Sequence, residues 1–187
     1  MSVRDTRREA ALQRLADHLL GAGLARSSLK SLAAAAGTSD RMLLYYFADK
    51  DELLTAVLGE VAGRMLPLLE DGGAGAAPRP YEVLLTELGQ VLARPDIRPF
   101  MRLWLELAAF AARGEQPHLT IAGLMADSFS AWILARLATA PGEDRAALAA
   151  RLLATVDGSA LLSAVGREAM AEAAVSGSSV KIGGQPV

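Results

Sequence analysis

Residues 28–53 read SLKSLAAAAGTSDRMLLYYFADKDEL, and this stretch predicts two short helices joined by a tight turn. Ser28 and Ser39 are placed to cap the two helices, because a serine hydroxyl can accept a free N–H group of a first helical turn. Gly37 can take the left-handed backbone conformation that ends a helix. The four alanines before it let the second helix, about 40–47, cross the first closely. The layout predicts a helix-turn-helix, a unit that places its second helix in the major groove of DNA.

The same stretch resembles the DNA-binding region of the TetR (tetracycline-repressor-like) transcriptional regulators. Their pattern is close to Thr-Val-x-x-Ile-Ala-x-x-Ala-Gly-Val-Ser-x-x-x-Leu-Tyr-x-His-Phe-x-x-Lys-x-x-Leu. The corresponding residues here are Ser28, Leu29, Leu32, Ala33, Ala36, Gly37, Thr38, Ser39, Leu43, Leu44, Tyr45, Tyr46, Phe47, Lys50 and Leu53. Leu44 stands where the family has a phosphate-contacting tyrosine, and Tyr46 stands where it has a histidine. Either Tyr45 or Tyr46 could therefore take over the phosphate contact.

The resemblance implies a set of DNA-contacting residues: Ser28, Lys30, Ser39, Asp40, Arg41, Met42, Tyr45, Tyr46 and Lys50. Arg41 can donate two hydrogen bonds to guanine, whereas Lys50 is a point charge suited to phosphate. Asp40 either accepts from a cytosine or orients the neighbouring arginine. Each tyrosine either packs in the core of the small domain or packs and still presents its hydroxyl. Phe47 is expected in the core.

The composition indicates the cellular compartment and the class of protein. The 187 residues are 52% hydrophobic and carry no cysteine, which excludes disulfides and thiolate metal sites and fits a reducing cytoplasm. Charged residues interrupt the apolar stretches, so no membrane span and no signal peptide are expected. Residues 1–50 hold eight Lys or Arg against five Asp or Glu, which leaves 11 against 16 in the remainder. A basic head on an acidic body is typical of a DNA-binding domain joined to another domain, although ordinary variation could give the same balance.

Helical periodicity recurs in segments up to about residue 174, and no strand pattern is convincing. The fold class is therefore predicted as all-α. We expect a first helix over 4–20, a fourth that starts after Lys50, runs towards Glu70 and is interrupted near Pro67, and a loop over 71–80. Further helices are expected over 81–94, 97–113, 117–139 and 143–174, the last bent at Gly158 or Gly166. The predicted domains are 1–50 (DNA binding), 51–175 (effector binding and dimerisation) and a flexible tail over 176–187.

Aromatic and methionine side chains concentrate on two consecutive predicted helices. They either form a packed centre or line a cavity for an apolar or aromatic small molecule. Arg102 and Glu106 are either polar groups of that cavity or a surface pair. The two histidines give no metal set, and no catalytic cluster or cofactor motif is present, so an enzyme is not expected. The predicted ligand-binding residues are Phe100, Met101, Trp104, His118, Met125, Phe129 and Trp132.

The segment 143–174 is apolar nearly all round and therefore needs cover on nearly all sides. A second subunit is the natural cover, and with 117–139 it would form a four-helix bundle across a two-fold axis; the family's dimerisation segment is similar. The sequence thus predicts a homodimeric, ligand-responsive repressor that a small apolar or aromatic effector releases from a palindromic operator. One alternative is a helical small-molecule-binding module or enzyme with a vestigial DNA-binding head. Another is a DNA-binding activator or architectural protein without a ligand.

Overall fold

The computed structural model describes residues 3–71 and 77–176, and the regular structure in these ranges is helical. One isolated bridge, between Arg79 and Leu137, is described besides the helices. The predicted all-α class is confirmed. The helices are α1 (Val3–Ala22), α2 (Leu29–Ala36), α3 (Asp40–Tyr46), α4 (Lys50–Asp71), α5 (Tyr81–Leu92), α6 (Arg98–Ala112), α7 (His118–Arg136), α8 (Arg145–Ala164) and α9 (Glu168–Ser176).

The chain packs as two compact units, and the first comprises the residues up to Pro67 together with Asp96–Asp127. Its core is one cluster of mainly aliphatic side chains around Phe47, which is 1% exposed. Complete burial of a leucine stabilises a fold by about 1.5–3 kcal/mol, so this cluster is the main source of the unit's stability. Its fully buried leucines include Leu15, Leu19, Leu32, Leu43, Leu53, Leu54 and Leu58.

Arg64 of α4 fastens α1 from outside this core. Its guanidinium donates to Asp17 at 2.7 Å and to the Gln13 carbonyl at 3.0 Å, both on α1. It also pairs with Glu60 on its own helix at 2.9 Å. The middle of α1 is thus held on α4 by polar contacts as well as by burial.

The second compact unit comprises Leu68–Pro95 and the described residues from Ser128 onward. In it α8 packs against α5 and α9. α9 lies close to α5 because Gly89 has no side chain: a Cβ atom there would come within 2.4 Å of Val175. The buried face of α8 consists of Ala149, Leu152, Val156, Ser159 and Ala160.

The opposite face of α8 is exposed and mainly apolar, with Asp157 among its residues. Leu161 on this face and Val165 just beyond the last residue of α8 are 54% and 59% exposed. Ala147, Ala150 and Ala154 continue the same face, because residues spaced by multiples of about 3.6 return to one side of a helix. We call these five residues the outer α8 face. The segment is therefore apolar on two sides, as its sequence indicates, but only one side is covered within its own unit.

Some element boundaries differ from the expected ones. α4 continues through Pro67 to Asp71, so the expected interruption is wrong. A proline removes a single intrahelical donor, and burial of Leu69 keeps the last turn packed. The segment 143–174, expected as one helix bent at Gly158 or Gly166, is two helices separated at Gly166, whose φ is +73°. Residues 72–76 of the expected loop and the tail beyond Ser176 lie outside the described residues. The division into functional domains at residues 50 and 175 stays a prediction.

Two described helices, α7 and α8, are long and apolar enough to cross a membrane by length and composition alone. α8 carries Arg145, Arg151 and Asp157, and one of its faces is buried against α5 and α9. Core helices of soluble proteins show the same combination of length and hydropathy. The two helices therefore give no convincing sign of a membrane span.

Candidate nucleic-acid interface

α2 begins and ends through local contacts. The Ser28 hydroxyl accepts the backbone N–H of Ser31 at 3.1 Å, which caps the first turn. Gly37 has a φ of +69°, and its N–H donates to the carbonyl of Ala34 at 3.1 Å. Because this left-handed residue closes α2 and reverses the chain, α3 can start at once and cross α2.

α3 is a seven-residue helix with a buried side and an exposed side. The Ser39 hydroxyl caps it by accepting the N–H of Met42 at 3.3 Å. Leu43 is fully buried in the core of the first unit. The exposed side chains fall on one side of the helix, as residues spaced by about four do. They are Asp40, Arg41, Leu44 and Tyr45.

The two tyrosines of α3 differ in access to solvent. Tyr45 is 58% exposed, whereas Tyr46 is 9% exposed and packs into the core of the first unit. Arg4 at the start of α1 lies with its guanidinium 5.0 Å from the Tyr45 ring centroid. It also donates to the Tyr45 carbonyl at 3.2 Å. The first turns of α1 therefore lie beside the end of α3 and bring a cation with them.

The three predicted cations, Lys30, Arg41 and Lys50, are all exposed. Lys50 opens α4 among acidic neighbours, but two of these are engaged with the backbone. Asp49 accepts the N–H of Glu52 at 2.7 Å, and Glu52 accepts the N–H of Ala48 at 2.6 Å. The carboxylates thus cap α4, which the positive end of a helix dipole favours, while the ammonium group faces solvent.

A cleft of about 470 Å³ lies between α1 and the α2–α3 turn. Arg14 crosses it and donates to the Ala36 carbonyl at 3.1 Å, at the negative end of α2. Two guanidinium groups and the Thr38 hydroxyl make the cleft suited to an anion such as a DNA phosphate. The lining residues are Arg7, Ala10, Ala11, Arg14, Ala36, Gly37, Thr38, Met42 and Tyr46.

The sequence predicts that the start of the first helix is part of the DNA-binding surface, but it does not distinguish Arg4, Arg7 and Arg14 from ordinary solvated charges on that helix. The structure adds the proximity of Arg4 to Tyr45 and of Arg7 and Arg14 to the turn.

Five of the predicted ligand-binding residues lie in the first unit. Phe100, Trp104 and Met125 are half-buried and pack against its core, and Met101 is also half-buried. His118 stacks on Phe110, with ring centroids 4.6 Å apart. Burial lowers the pKa of His118 below its ordinary value, which favours the neutral imidazole. Its Nδ1 atom is buried without a hydrogen-bond partner.

The other two, Phe129 and Trp132, lie in the second unit. Their rings stack with centroids 5.7 Å apart, and the Arg136 guanidinium lies 4.2 Å from the Trp132 ring centroid. The indole Nε1 of Trp132 is buried without a hydrogen-bond partner. Most buried polar atoms have such a partner, so an orphaned donor marks a place where a polar ligand atom would be favoured.

In the parts of the chain that the structure describes, no group of three or more His, Asp or Glu side chains could hold a metal ion. Arg102 and Glu106, expected in the cavity or as a surface pair, instead contact the backbone of the segment that ends α1.

Residues 12–57 match the family model described as bacterial regulatory proteins, tetR family. The match spans the end of α1, the helix-turn-helix and the start of α4. No curated protein sequence is significantly similar to the chain.

Solved structures share the fold over nearly the whole length. A transcriptional regulator from Rhodococcus sp. Rha1 superposes with a TM-score of 0.69 at 24% identity, over 90% of this chain and 91% of that one. A candidate TetR-family transcriptional regulator from Rhodococcus sp. gives 0.72 at 21% identity, over 92% and 96%. A TetR transcription regulator from Haloarcula marismortui ATCC 43049 gives 0.67 at 19% identity, over 91% and 93%. At these identities the likeness establishes the fold.

Proposed function

Because residues 12–57 belong to the tetR family of bacterial regulatory proteins, we propose that the chain is a sequence-specific transcriptional repressor that a small molecule releases from a palindromic operator. The proposal rests on the structure of α3. This helix is capped by Ser39 and held by buried Leu43, and it presents Arg41 and Tyr45 to solvent. A helix held in this way can enter a major groove without losing its support in the core. The protein acts in the cytoplasm.

The exposed residues divide by chemistry into base and phosphate contacts. Arg41 reads guanine through two hydrogen bonds, and Asp40 beside it orients the arginine or accepts from a cytosine. Lys30, Lys50 and Arg4 contact phosphates.

The exposure of Tyr45 supports it, rather than Tyr46, as the tyrosine that donates to phosphate in place of the one replaced by Leu44. Ser28, Ser39 and Met42 lie at the helix starts and support the interface through the backbone contacts of their caps.

The protein acts as a homodimer through the outer α8 face, so that two copies of α3 reach successive major grooves about 34–36 Å apart. The exposed Leu161 and Val165 support this, since soluble monomers rarely expose large apolar patches. A two-fold pair explains why the operator is palindromic.

The effector is an apolar or aromatic molecule. Half-buried Phe100, Met101, Trp104 and Met125 offer apolar contact, and the unpartnered Nδ1 of His118 offers one polar contact. The stacked rings of Phe129 and Trp132 would serve a ligand in the same way. Release requires that the effector bind the DNA-competent and released states with different affinity.

Selection of bound sites from random duplexes tests the proposal. We expect the wild-type protein to enrich a palindrome and a set of apolar compounds to contain members that release it. A protein that binds such compounds but enriches no sequence would instead support the alternative, a helical binding module or enzyme with a vestigial head.

Replacing Arg41 or Lys50 by alanine should separate base reading from phosphate contact. We expect Arg41→Ala to relax the preference at particular base pairs, at a cost of about 1–3 kcal/mol in operator binding. Lys50→Ala should weaken binding to operator and random duplexes alike and lower the salt slope by about one unit, because a phosphate contact carries no sequence information. Fluorescence anisotropy over a salt series measures both. Identical effects of the two variants on operator and random DNA would contradict this division of roles.

Trp104→Ala should impair the effector response more than the fold. Complete removal of a buried tryptophan side chain costs about 3–5 kcal/mol, and a half-buried one costs less. We expect a small fall in melting temperature and a large rise in the concentration of a releasing compound needed to free the operator. Leu105→Ala is the control, because it truncates another half-buried side chain of α6 outside the predicted ligand set. A large loss of stability with an unchanged response would leave Trp104 as ordinary packing.

A further inference from the structure

Two side chains of α6, Arg102 and Glu106, hold the backbone segment in which α1 ends. Arg102 Nη2 donates to the carbonyls of Leu20 at 2.5 Å and of Gly21 at 3.0 Å. Carbonyls in the last turn of a helix lack intrahelical donors, so these two bonds satisfy acceptors that the helix leaves free. The guanidinium also lies at the negative end of the helix dipole of α1.

Glu106 binds the residues that follow. Its Oε2 atom accepts the N–H of Leu24 at 2.6 Å and the N–H of Ala25 at 3.3 Å. The approach is close because of Gly23: with a φ of +80° and no side chain, it leaves the space that a Cβ atom would fill only 2.4 Å from a carboxylate oxygen. We call Arg102 and Glu106, together with the backbone of residues 20–25, the α6 clasp.

The clasp differs from an ordinary surface pair. Its bonds join residues about eighty positions apart in the chain. Each bond has one charged partner, and such hydrogen bonds are roughly twice as strong as neutral ones. Arg102 donates to two backbone carbonyls of the segment, and Glu106 accepts from two of its backbone N–H groups.

From the clasp, α1 leads directly to the DNA-contacting elements. Arg14 of α1 donates to the last turn of α2, and Arg4 donates to the last turn of α3. α1 also packs along α2. A helix fixed at one end by α6 and along its length by α2 and α3 transmits a displacement of α6 to the helix-turn-helix.

We propose that Arg102 and Glu106 are positioning residues for DNA binding, which set the orientation of the helix-turn-helix on α6 by holding the end of α1. This inference rests on the proposed function, and it names the bonds through which an effector that shifts α6 changes DNA affinity. Both residues bond to the backbone of residues 20–25, so their proposed effect on DNA binding passes through the end of α1.

The test compares Glu106→Ala with Glu115→Ala in the full chain. The control removes an equal charge just beyond α6, where the carboxylate bonds to Arg113 rather than to α1. DNA affinity is measured on the operator that the wild-type protein selects, on operators whose half-sites are moved by one or two base pairs, and on random duplex. Amide hydrogen exchange at Leu24 and Ala25 reports on the clasp itself.

We expect Glu106→Ala to bind the best-spaced operator about tenfold more weakly than the control, to discriminate less between spacings and to exchange these two amides faster. Glu106→Gln, which keeps an acceptor, should restore most of the preference. Binding to random duplex should match the control, because phosphate contacts are untouched. A role in stability alone would weaken binding to every duplex in parallel with the melting temperature.

Arg102→Gln and its control Arg113→Gln repeat the comparison at the exposed end of the clasp if Glu106→Ala does not fold. Spacing profiles and exchange rates that equal those of the controls would overturn the clasp as a positioning device. Failure of the wild-type protein to select any sequence would instead overturn the proposed function.

Discussion

Leu161→Glu should convert the protein from a dimer to a monomer and abolish operator binding. The side chain is 54% exposed on the outer α8 face, so a single chain tolerates the substitution. In a dimer built on this face the carboxylate would be buried without a partner, at a cost of several kcal/mol. Since every 1.4 kcal/mol is a factor of about ten, the dissociation constant should rise by more than about a hundredfold.

Sedimentation velocity at micromolar concentration measures this change, and circular dichroism confirms that the helices persist. Ser163→Glu is the control, because it adds the same charge at an exposed position on another side of α8. Val156, also on α8, would be a poor choice, since it is 1% exposed and a charge there would break the unit's own core. A wild-type protein that sediments as a monomer would rule the dimer out.

Phe47→Ala should unfold the DNA-binding region, whereas Tyr45→Ala should leave it folded. Phe47 is 1% exposed within the first core, with the Arg8 guanidinium 4.6 Å from its ring centroid. Truncating a buried phenylalanine costs about 3–5 kcal/mol, a large part of the stability of a typical domain. Tyr45 is 58% exposed, so its loss should weaken DNA binding while changing stability by less than about 0.5 kcal/mol.

Urea denaturation and operator titration of both variants measure the contrast. For Phe47→Ala we expect binding to every duplex to fall together with the helical signal. For Tyr45→Ala we expect an unchanged denaturation midpoint and weaker binding. An equal loss of stability in both variants would contradict the expectation, because it would mean that the Tyr45 ring stabilises the fold as much as the buried Phe47 ring does.

The parts of the fold that local chemistry determines could be predicted from the sequence. Ser28, Gly37 and Ser39 act within a few residues of themselves, and the structure places the helix ends where these residues indicate. Phe47 was expected in the core and lies there. The continuity of α4 through Pro67 was missed, because burial beyond the proline is not visible from the helix-breaking tendency of that residue alone.

Contacts between distant parts of the chain could not be predicted. Arg102 and Glu106 are spaced as a helical pair, and this spacing contains no sign that their partners are backbone atoms about eighty residues away. The difference between Tyr45 and Tyr46 likewise depends on which side of α3 faces the core. Tyr46 packs in the core of the first unit, and the two adjacent tyrosines alone do not indicate which of them does so.

Pairing of two chains through the outer α8 face would also make the concentration of the protein in the cell a variable of regulation. If the operator-binding form is a dimer, its concentration depends on the square of the free chain concentration. Dilution therefore lowers the dimer concentration faster than the total protein concentration. Growth and cell division dilute the protein, and each would lower operator occupancy more than proportionally even when no effector is present. In such a dimer the exposed leucine and alanines of one helix would link gene control to protein abundance.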